Sequence, residues 1–542
     1  MRLLSLIFAP RHAALVVSIV LFLWLGFAIL QHPHLVFFLA IPTVVFGGLA
    51  ALGISDLVQT RHSVLRNYPI MAHIRFILEE VRPEIRQYFF ESETDGTPFS
   101  RDRRALVYQR AKMQLDKRPF GTHLPVYQDG FEWMLHSLAP QPQSKELFRI
   151  TIGGPACAQP YSASVFNISA MSFGSLSANA IRALNGGAKI GGFAHDTGEG
   201  GFSPYHAEQG GDIIWEIGSG YFGCRTLEGA FSPEAFARTA QNPQIKMIEI
   251  KLSQGAKPGH GGVLPAAKVT PEISAIRGVP MGIDCVSPAR HSAFATPLEL
   301  MAFIEKLRAL SGGKPVGFKL CLGQPEEFLA LCKAMLESSV APDFIVVDGK
   351  EGGTGAAPLE FMDHLGMPMR EGLNFIHNAL IGIGLRSTIK LGCSGKILTA
   401  FDMARAMALG ADWCNSARGF MFSVGCIQSL ACHTDACPTG VATQDPVRGR
   451  AIHVPDKKER VANFHRATLH CLAELTAAAG LDHPSQFERD HFRRRVAHDS
   501  VVSFAELFPQ LDDGELLRGA RDARLRALWD KADPKRFSAR AG

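Results

Sequence analysis

"DFIVVDGKEGGTGAAP", residues 343–358, decides the fold. Phe344 to Val347 is a short continuous apolar run of the kind found in strands buried on both faces. Glycines at 349, 352, 353 and 355 follow it at once. Such a loop lets backbone approach a flat ligand closely and turn its N–H groups toward it. A single unit proves little, because turns favour glycine in any protein. The test is whether the pattern recurs.

It recurs from about residue 160 onward. The β-prone runs are "SVFNISA" (164–170), "KIGGFAHDTG" (189–198), "IKMIEIK" (245–251) and "MGIDCVS" (281–287). "PVGFKLCLG" (315–323), the opening run, "TIKLGCSG" (388–395) and "DWCNSARG" (412–419) complete the series. Helical stretches such as "PLELMAFIEKLRAL", "PEEFLALCKAMLES" and "TAFDMARAMALG" lie between several of them. This alternation predicts the α/β class and a parallel (β/α)8 TIM barrel over 151–445, with extra material between the second and fourth runs. A doubly wound sheet is the alternative.

In a barrel, reactive residues follow strand C-termini, and phosphate binds after strands seven and eight. The unusual sequences fall there: "AMSFGSLS", "HDTGEGGFSP", "SQGAKPGHGGVLP", "DGKEGGTGAAP" and "GCSGKILTAFD". The last is a glycine loop opening a helix, which suits a phosphate at the helix N-terminus.

The N-terminus has a different character. Residues 13–30 and 35–54 are two apolar runs, each near the ~20 residues needed to cross hydrocarbon. Only "QHPH" separates them, and Arg2, Arg11, Arg61 and Arg66 flank the pair. The expectation is a transmembrane hairpin anchor over 1–55 with both ends in the cytoplasm, at a bacterial inner membrane with the catalytic domain on the cytoplasmic side. A cleaved signal peptide is the competing reading. Residues 56–150 read as a charged helical juxtamembrane lead-in whose arginines suit anionic headgroups, and a solvated helical segment is as good an account. Residues 446–542 read as a C-terminal helical extension. A net charge of +5 over 542 residues gives no nucleic-acid footprint. Eleven cysteines, all beyond residue 150 and without scaffold spacing, favour a reducing compartment.

Three of those cysteines, Cys426, Cys432 and Cys437, sit in "GCIQSLACHTDACPTGVATQ" (425–444). From spacing alone they could be a metal site, a disulfide with a spare thiol, or clustered core residues. Zinc with His433 as a fourth ligand is one such option. A set lacking a fourth thiolate fits three irons better than four.

These stretches together resemble the FMN-binding central domain of glutamate synthase. The matching segments are "MSFGSLS", "HDTGEGG", "EIKLSQGAKPG", "DGKEGGTGAAP", "GLRSTIKLGCSGKI" and the cysteine segment, in the family's order over roughly 150–445. The resemblance implies a barrel holding FMN and a 3Fe–4S cluster on Cys426, Cys432 and Cys437 that passes electrons to the flavin. It implies reduction of the imine of 2-oxoglutarate and ammonia to L-glutamate. The stand-alone, membrane-anchored arrangement is similar to a bacterial branch of the family. The sequence shows neither the family's glutaminase domain nor its β-helix or pyridine-nucleotide subunit. Ammonia would then be free or come from a glutaminase partner, and electrons from a ferredoxin or a membrane redox partner. His260 stands where the family's "KPGEGG" has glutamate, and "CSGK" replaces "DGG".

Residue by residue, Lys257 and Arg277 match the family's substrate cations, and Glu199 is the candidate for holding the nitrogen or moving its proton. Lys319, ending the fifth run, is expected to point toward the barrel mouth and steady the reduced flavin. Met171, Ser172 and Gln254 are expected against the isoalloxazine, and Gly352, Gly353, Thr354 and Gly355 to line the site. Gly395, Lys396, Ser416 and Arg418 form the expected phosphate set. Surface salt bridges, turn caps and buried structural roles are the bland alternatives, as they are for His195 and His206. An imine reductase acting on another amine or oxo acid, such as an N-alkylglutamate synthase, shares every cofactor residue. A membrane-tethered redox subunit without its own substrate is the reading from another class. A simple α-hydroxy-acid oxidase is disfavoured, since such flavin barrels need no cluster.

Overall fold

The computed structural model describes residues 9–537, so Arg2 lies outside the described residues. Contacts divide the chain into two compact units, residues 1–101 and 102–542.

The larger unit is a closed barrel of eight parallel strands. In chain order these are β1 (Phe166–Ile168), β2 (His195–Asp196), β3 (Ile213–Ile217), β4 (Ile245–Lys251), β5 (Val316–Leu320), β6 (Phe344–Asp348), β7 (Lys390–Ser394) and β8 (Trp413–Ser416). Closure is made by β8 on β1, with Cys414 opposite Phe166 and Ser416 opposite Ile168. The opening stretch behaves as its composition dictates: Phe344 to Val347 are buried, and β6 lies between β5 and β7.

Two readings of the strand order are corrected. "MGIDCVS" is not a barrel strand. Only Cys285–Val286 is extended, and it pairs antiparallel with Val263–Leu264 in the excursion after β4. Met281, Ile283 and Val286 of that run are 57–60% exposed, so its apolar character records no burial. The true third strand is "IIWEI", buried at every position and pairing with β2 and β4. The extra material therefore lies between β4 and β5.

Helices connect the strands, and their starts are written in the sequence. Ser177 caps Ala178–Gly191, and reciprocal Thr–acid boxes open Pro297–Leu310 (Thr296, Glu299) and Ala400–Ala408 (Thr399, Asp402). The long helix Val454–Ala478, expected as part of a separate extension, packs on Ala178–Gly191 and so joins the helical layer. Gly187 makes this possible, because a Cβ there would run into Val461. Farther along the tail, Phe492–Ala497 pairs with Glu132–Met134 and with Ser500–Ser503. Residues just after 101 and residues of the tail thus belong to one body.

In the smaller unit, Ala13–Gln31 and Val36–Val58 are α-helices that pack on each other. Glycines mark the contact: a Cβ at Gly47 would meet the Phe22 ring, and one at Gly53 would meet Leu15. Their outer apolar side chains are uncovered, with Trp24 62%, Leu30 79% and Phe37 90% exposed. Both helices are long and apolar enough to cross a membrane.

Candidate active site at the barrel mouth

The loops after β1, β2 and β4 bring Glu199, Lys251, Lys257 and Arg277 to one place. Lys251, the last residue of β4, sets its Nζ 3.0 Å from the Glu199 carboxylate and donates to Gln254 Oε1 at 2.8 Å. Lys257 is buried and donates to the Gly261 carbonyl at 3.1 Å. Arg277, also buried, ends a short helix after β4. Its Nη2 donates to the Phe173 carbonyl at 3.1 Å, and the guanidinium lies 5.2 Å from the Phe222 ring centre. Its Nε has no partner. Gly174 and Gly200 leave room for this guanidinium, since a Cβ on either would press on Nη2.

Charge at the mouth is unequal. Burial alone would raise the Glu199 carboxyl, but Lys251, then Lys257 and Arg277, hold it below the usual range. Burial lowers Lys257 to about 8, against the opposing pull of Glu199. Three cations thus face one carboxylate. A cavity of about 20 Å³ opens beside them, lined by Glu199, Lys251, Ser253, His260 and His291. His291 is fixed there by Tyr221 (3.1 Å) and the Lys251 carbonyl (2.9 Å), and burial pushes it down to about 4.

The glycine loops interlock. A Cβ at Gly198 would press on the backbone of Met171 and Ser172, and one at Gly255 would strike the Gly349 carbonyl. Gly255 N donates to Asp348 Oδ2 at 2.8 Å, tying the β4 and β6 loops. Ser172 Oγ lies 3.0 Å from Ser175 Oγ, in reach of Arg277. Gly353 packs on the Arg418 guanidinium, and Gly355 on Cys432, while Gly353, Thr354 and Gly355 are exposed. Arg418 donates to the Glu351 carbonyl at 2.7 Å, and burial lowers it to about 10. Lys396 adopts φ 53°, and burial followed by Arg418 lowers its amine. Gly395 packs on Glu351, and Ser416 Oγ donates to the Ile397 carbonyl at 2.6 Å. At the start of the helix after β7, Asp402 accepts from Leu398 N and Thr399 N, and Thr399 from Asp402 N. Lys396 and Arg418 bring two cations to this corner.

Lys319, level with Lys251 at the C-terminal ends of β5 and β4, is buried, and its amine is held by Glu216, by Glu249 at 3.1 Å and by Asp196 at 3.8 Å. Burial opposes its charge, yet these carboxylates keep it well above the ordinary lysine range. Burial in turn raises Asp196 strongly and Glu249 to about 6. His195 and His206 are fully buried, with rings 5.1 Å apart, and both are held neutral by burial.

The sequence reading missed Lys251, His291 and the three interior carboxylates. Lys251 carried a usable signal, being the last residue of a strand and six before Lys257. Glu216 and Glu249 lie inside apolar runs and Asp196 at the end of one, and only the closed barrel shows that they meet.

Cys426, Cys432 and Cys437 occupy the loop after the helix that follows β8. Gln428, Leu430 and Asp435 take left-handed φ of 59–61° there. Burial pushes Cys426 up to about 12 and raises Cys432. Cys437, although burial opposes it, is lowered by N–H groups of Ala442, Thr439 and Val441 and by the Thr439 hydroxyl. Buried Lys268, bonded to the Ser175 and Ala442 carbonyls, adds positive charge beside them. Among the described residues, the triads with ligand atoms within 4.8 Å of one another are His470–Cys471–Glu474 and Asp196–Glu216–Glu249. The three thiols are spread wider than that.

A family profile described as a conserved region in glutamate synthase matches residues 151–482. The glutamate synthase large subunit-like protein YerD of Bacillus subtilis is 39% identical over 87% of this chain and 97% of its own length. The archaeal glutamate synthase [NADPH] of Methanocaldococcus jannaschii is 36% identical over 58% of this chain, and the aligned part is 59% of that protein. The archaeal-type enzyme of Thermotoga maritima is 34% identical over the same shares. With the profile spanning the whole barrel and the likeness to YerD running almost end to end, this chain belongs to the glutamate synthase family.

Proposed function

We propose that the chain is a membrane-anchored, FMN-dependent oxidoreductase that reduces the imine of 2-oxoglutarate and ammonia to L-glutamate. The observation that carries this is the excess of cation at the mouth: Lys251, Lys257 and Arg277 around one carboxylate. A dianionic oxo acid would complete that balance. Lys257 and Arg277 would bind its carboxylates, and the rigid setting of Arg277 would fix its orientation. Glu199, held ionised, would steady the cationic imine nitrogen, with Lys251 at 3.0 Å keeping the carboxylate in place.

The residues present fit FMN: glycine backbone lines the mouth, and Lys396 with buried Arg418 suits a phosphate. Bound there, FMN would supply hydride. The cysteine set fits an iron–sulfur cluster better than one ion. Three thiols without a fourth suit a three-iron cluster, and the N–H groups around Cys437 favour its thiolate. Cys426, Cys432 and Cys437 would hold a 3Fe–4S cluster, and Gly355 packing on Cys432 puts the β6 loop against it. A ferredoxin or membrane redox partner would deliver electrons, and ammonia would come free or from a glutaminase.

The test is anaerobic purification of the full chain in detergent. Flavin absorption, the EPR signal of an oxidised three-iron centre, and turnover of 2-oxoglutarate plus ammonium with a reduced dye are expected. Protein that binds no flavin would overturn the proposal. A second reading, with a primary amine in place of ammonia, is favoured by His260 at the cavity wall. Faster turnover with methylamine than with ammonium would select it.

A further inference from the structure

Just beyond the apolar hairpin, the helix Met71–Ile85 leaves an apolar stripe uncovered. Met71, Ile74, Ile77, Leu78 and Val81 are 39–58% exposed, and they fall within about 120° of arc at 100° per residue. Ala72 and Phe76, on another side of the helix, are buried and half-buried. Arg75, Arg82 and Arg86, spaced seven and four apart, run along one border of the stripe. Tyr88, Phe89 and Phe90, directly after it, are 59–81% exposed.

The helix is tied to the end of the second apolar helix. Asp56, in that helix's last turn and only 4% exposed, accepts from Ile70 N at 2.9 Å. Its two oxygens lie 3.0 and 3.1 Å from His73 Nε2. Gly53 lies against Ile70, where a Cβ would press on that side chain. Residues 70–73 are therefore fixed at the level where the hydrocarbon-length helix ends.

We propose that Met71–Ile85 lies in the interfacial layer of the bilayer spanned by the hairpin, its stripe among acyl chains and its arginines at the phosphates. This rests on the reading of residues 10–58 as a membrane anchor. The clamp selects the occupant: a helix pinned at a span's end meets lipid before it meets another protein.

The test uses full-length protein in phosphatidylcholine–phosphatidylglycerol vesicles. Ile77, Leu78 or, on the polar side, Glu80 is replaced by the photo-crosslinking residue benzoylphenylalanine. Flotation with the vesicles after alkaline wash, and at least tenfold more lipid adduct at 77 and 78 than at 80, are expected. Protein that floats but gives equal adducts at all three positions overturns the interfacial helix and leaves the anchor standing. Crosslinks at 77 and 78 to a second copy overturn it in favour of a dimer face. Protein that fails to float overturns the anchor and the inference together.

Discussion

The barrel holds two ionic clusters of opposite design. At the mouth, Lys251, Lys257 and Arg277 surround Glu199. Inside, Asp196, Glu216 and Glu249 surround Lys319. The interior has surplus carboxylate and no solvent, so it balances itself by holding protons, as the raised Asp196 and Glu249 show. At the mouth the surplus is cationic, and only the lysines can ease it by shedding a proton, as the lowered Lys257 shows, because a guanidinium keeps its charge. The interior offsets its surplus charge by holding protons, while the mouth keeps an excess of cation.

Lys319→Met tests this most harshly. It leaves three buried carboxylates without a cation, and breaking such a set by removing one partner costs about 3–5 kcal/mol. A marked drop in thermal midpoint at pH 7 is expected, with partial recovery on adding Glu216→Gln or on lowering pH. An unchanged midpoint would show that the interior does not depend on Lys319.

Arg277→Ala or Lys257→Ala should leave the fold intact and remove substrate charge instead. Loss of one partner of a buried charge pair costs about 2–5 kcal/mol, or roughly 30- to 5,000-fold in kcat/KM for the oxo acid. Flavin content should not change. A variant that loses flavin and activity together would move the residue from substrate to cofactor.

The contrast between the clusters also explains what was legible in the sequence. Glu199, Lys257 and the cysteines stand in glycine-rich loops, where a charged or reactive side chain is conspicuous. Asp196, Glu216 and Glu249 stand in or beside runs such as "IIWEI" and "IKMIEI", where a single carboxylate reads as an exposed face of a strand. Only closure turns those positions inward. β3 escaped for a related reason: it is short and set between glycine pairs, whereas "MGIDCVS" had the right composition in an exposed hairpin. Alternating pattern revealed the barrel, but pattern alone cannot say which apolar run is buried. The two N-terminal helices needed no such context, because length and apolar composition alone predict them.

A smaller effect follows from Lys257, whose amine burial lowers to about 8. Below that pH it is charged and can bind a carboxylate. Above it, kcat/KM for the oxo acid should fall about tenfold per pH unit, whereas kcat at saturation should hold to higher pH because the bound anion retains the proton. Lys257→Arg should move the limb upward, read from the pH profile of kcat/KM. The folding contribution has the opposite sign. The unfolded lysine keeps its proton to about 10.5, so the cost of burying the cation is relieved as pH rises between these values.

Glu249→Gln gives the finest test of the interior. Burial raises this carboxyl from 4.5 to about 6, with Lys319 pulling it down and Glu216 pushing it up. An acid raised on folding holds a proton that the unfolded chain has released, so its contribution is full below pH 4.5 and lost through pH 6. Wild-type stability should therefore fall relative to the glutamine variant across that window. At about 1.36 kcal/mol per pKa unit, the change is roughly 2 kcal/mol. Thermal midpoints of both proteins at pH 4.5, 5.5 and 6.5 would show it as a growing gap in favour of the variant. A constant gap would mean that Glu249 keeps one ionisation state throughout.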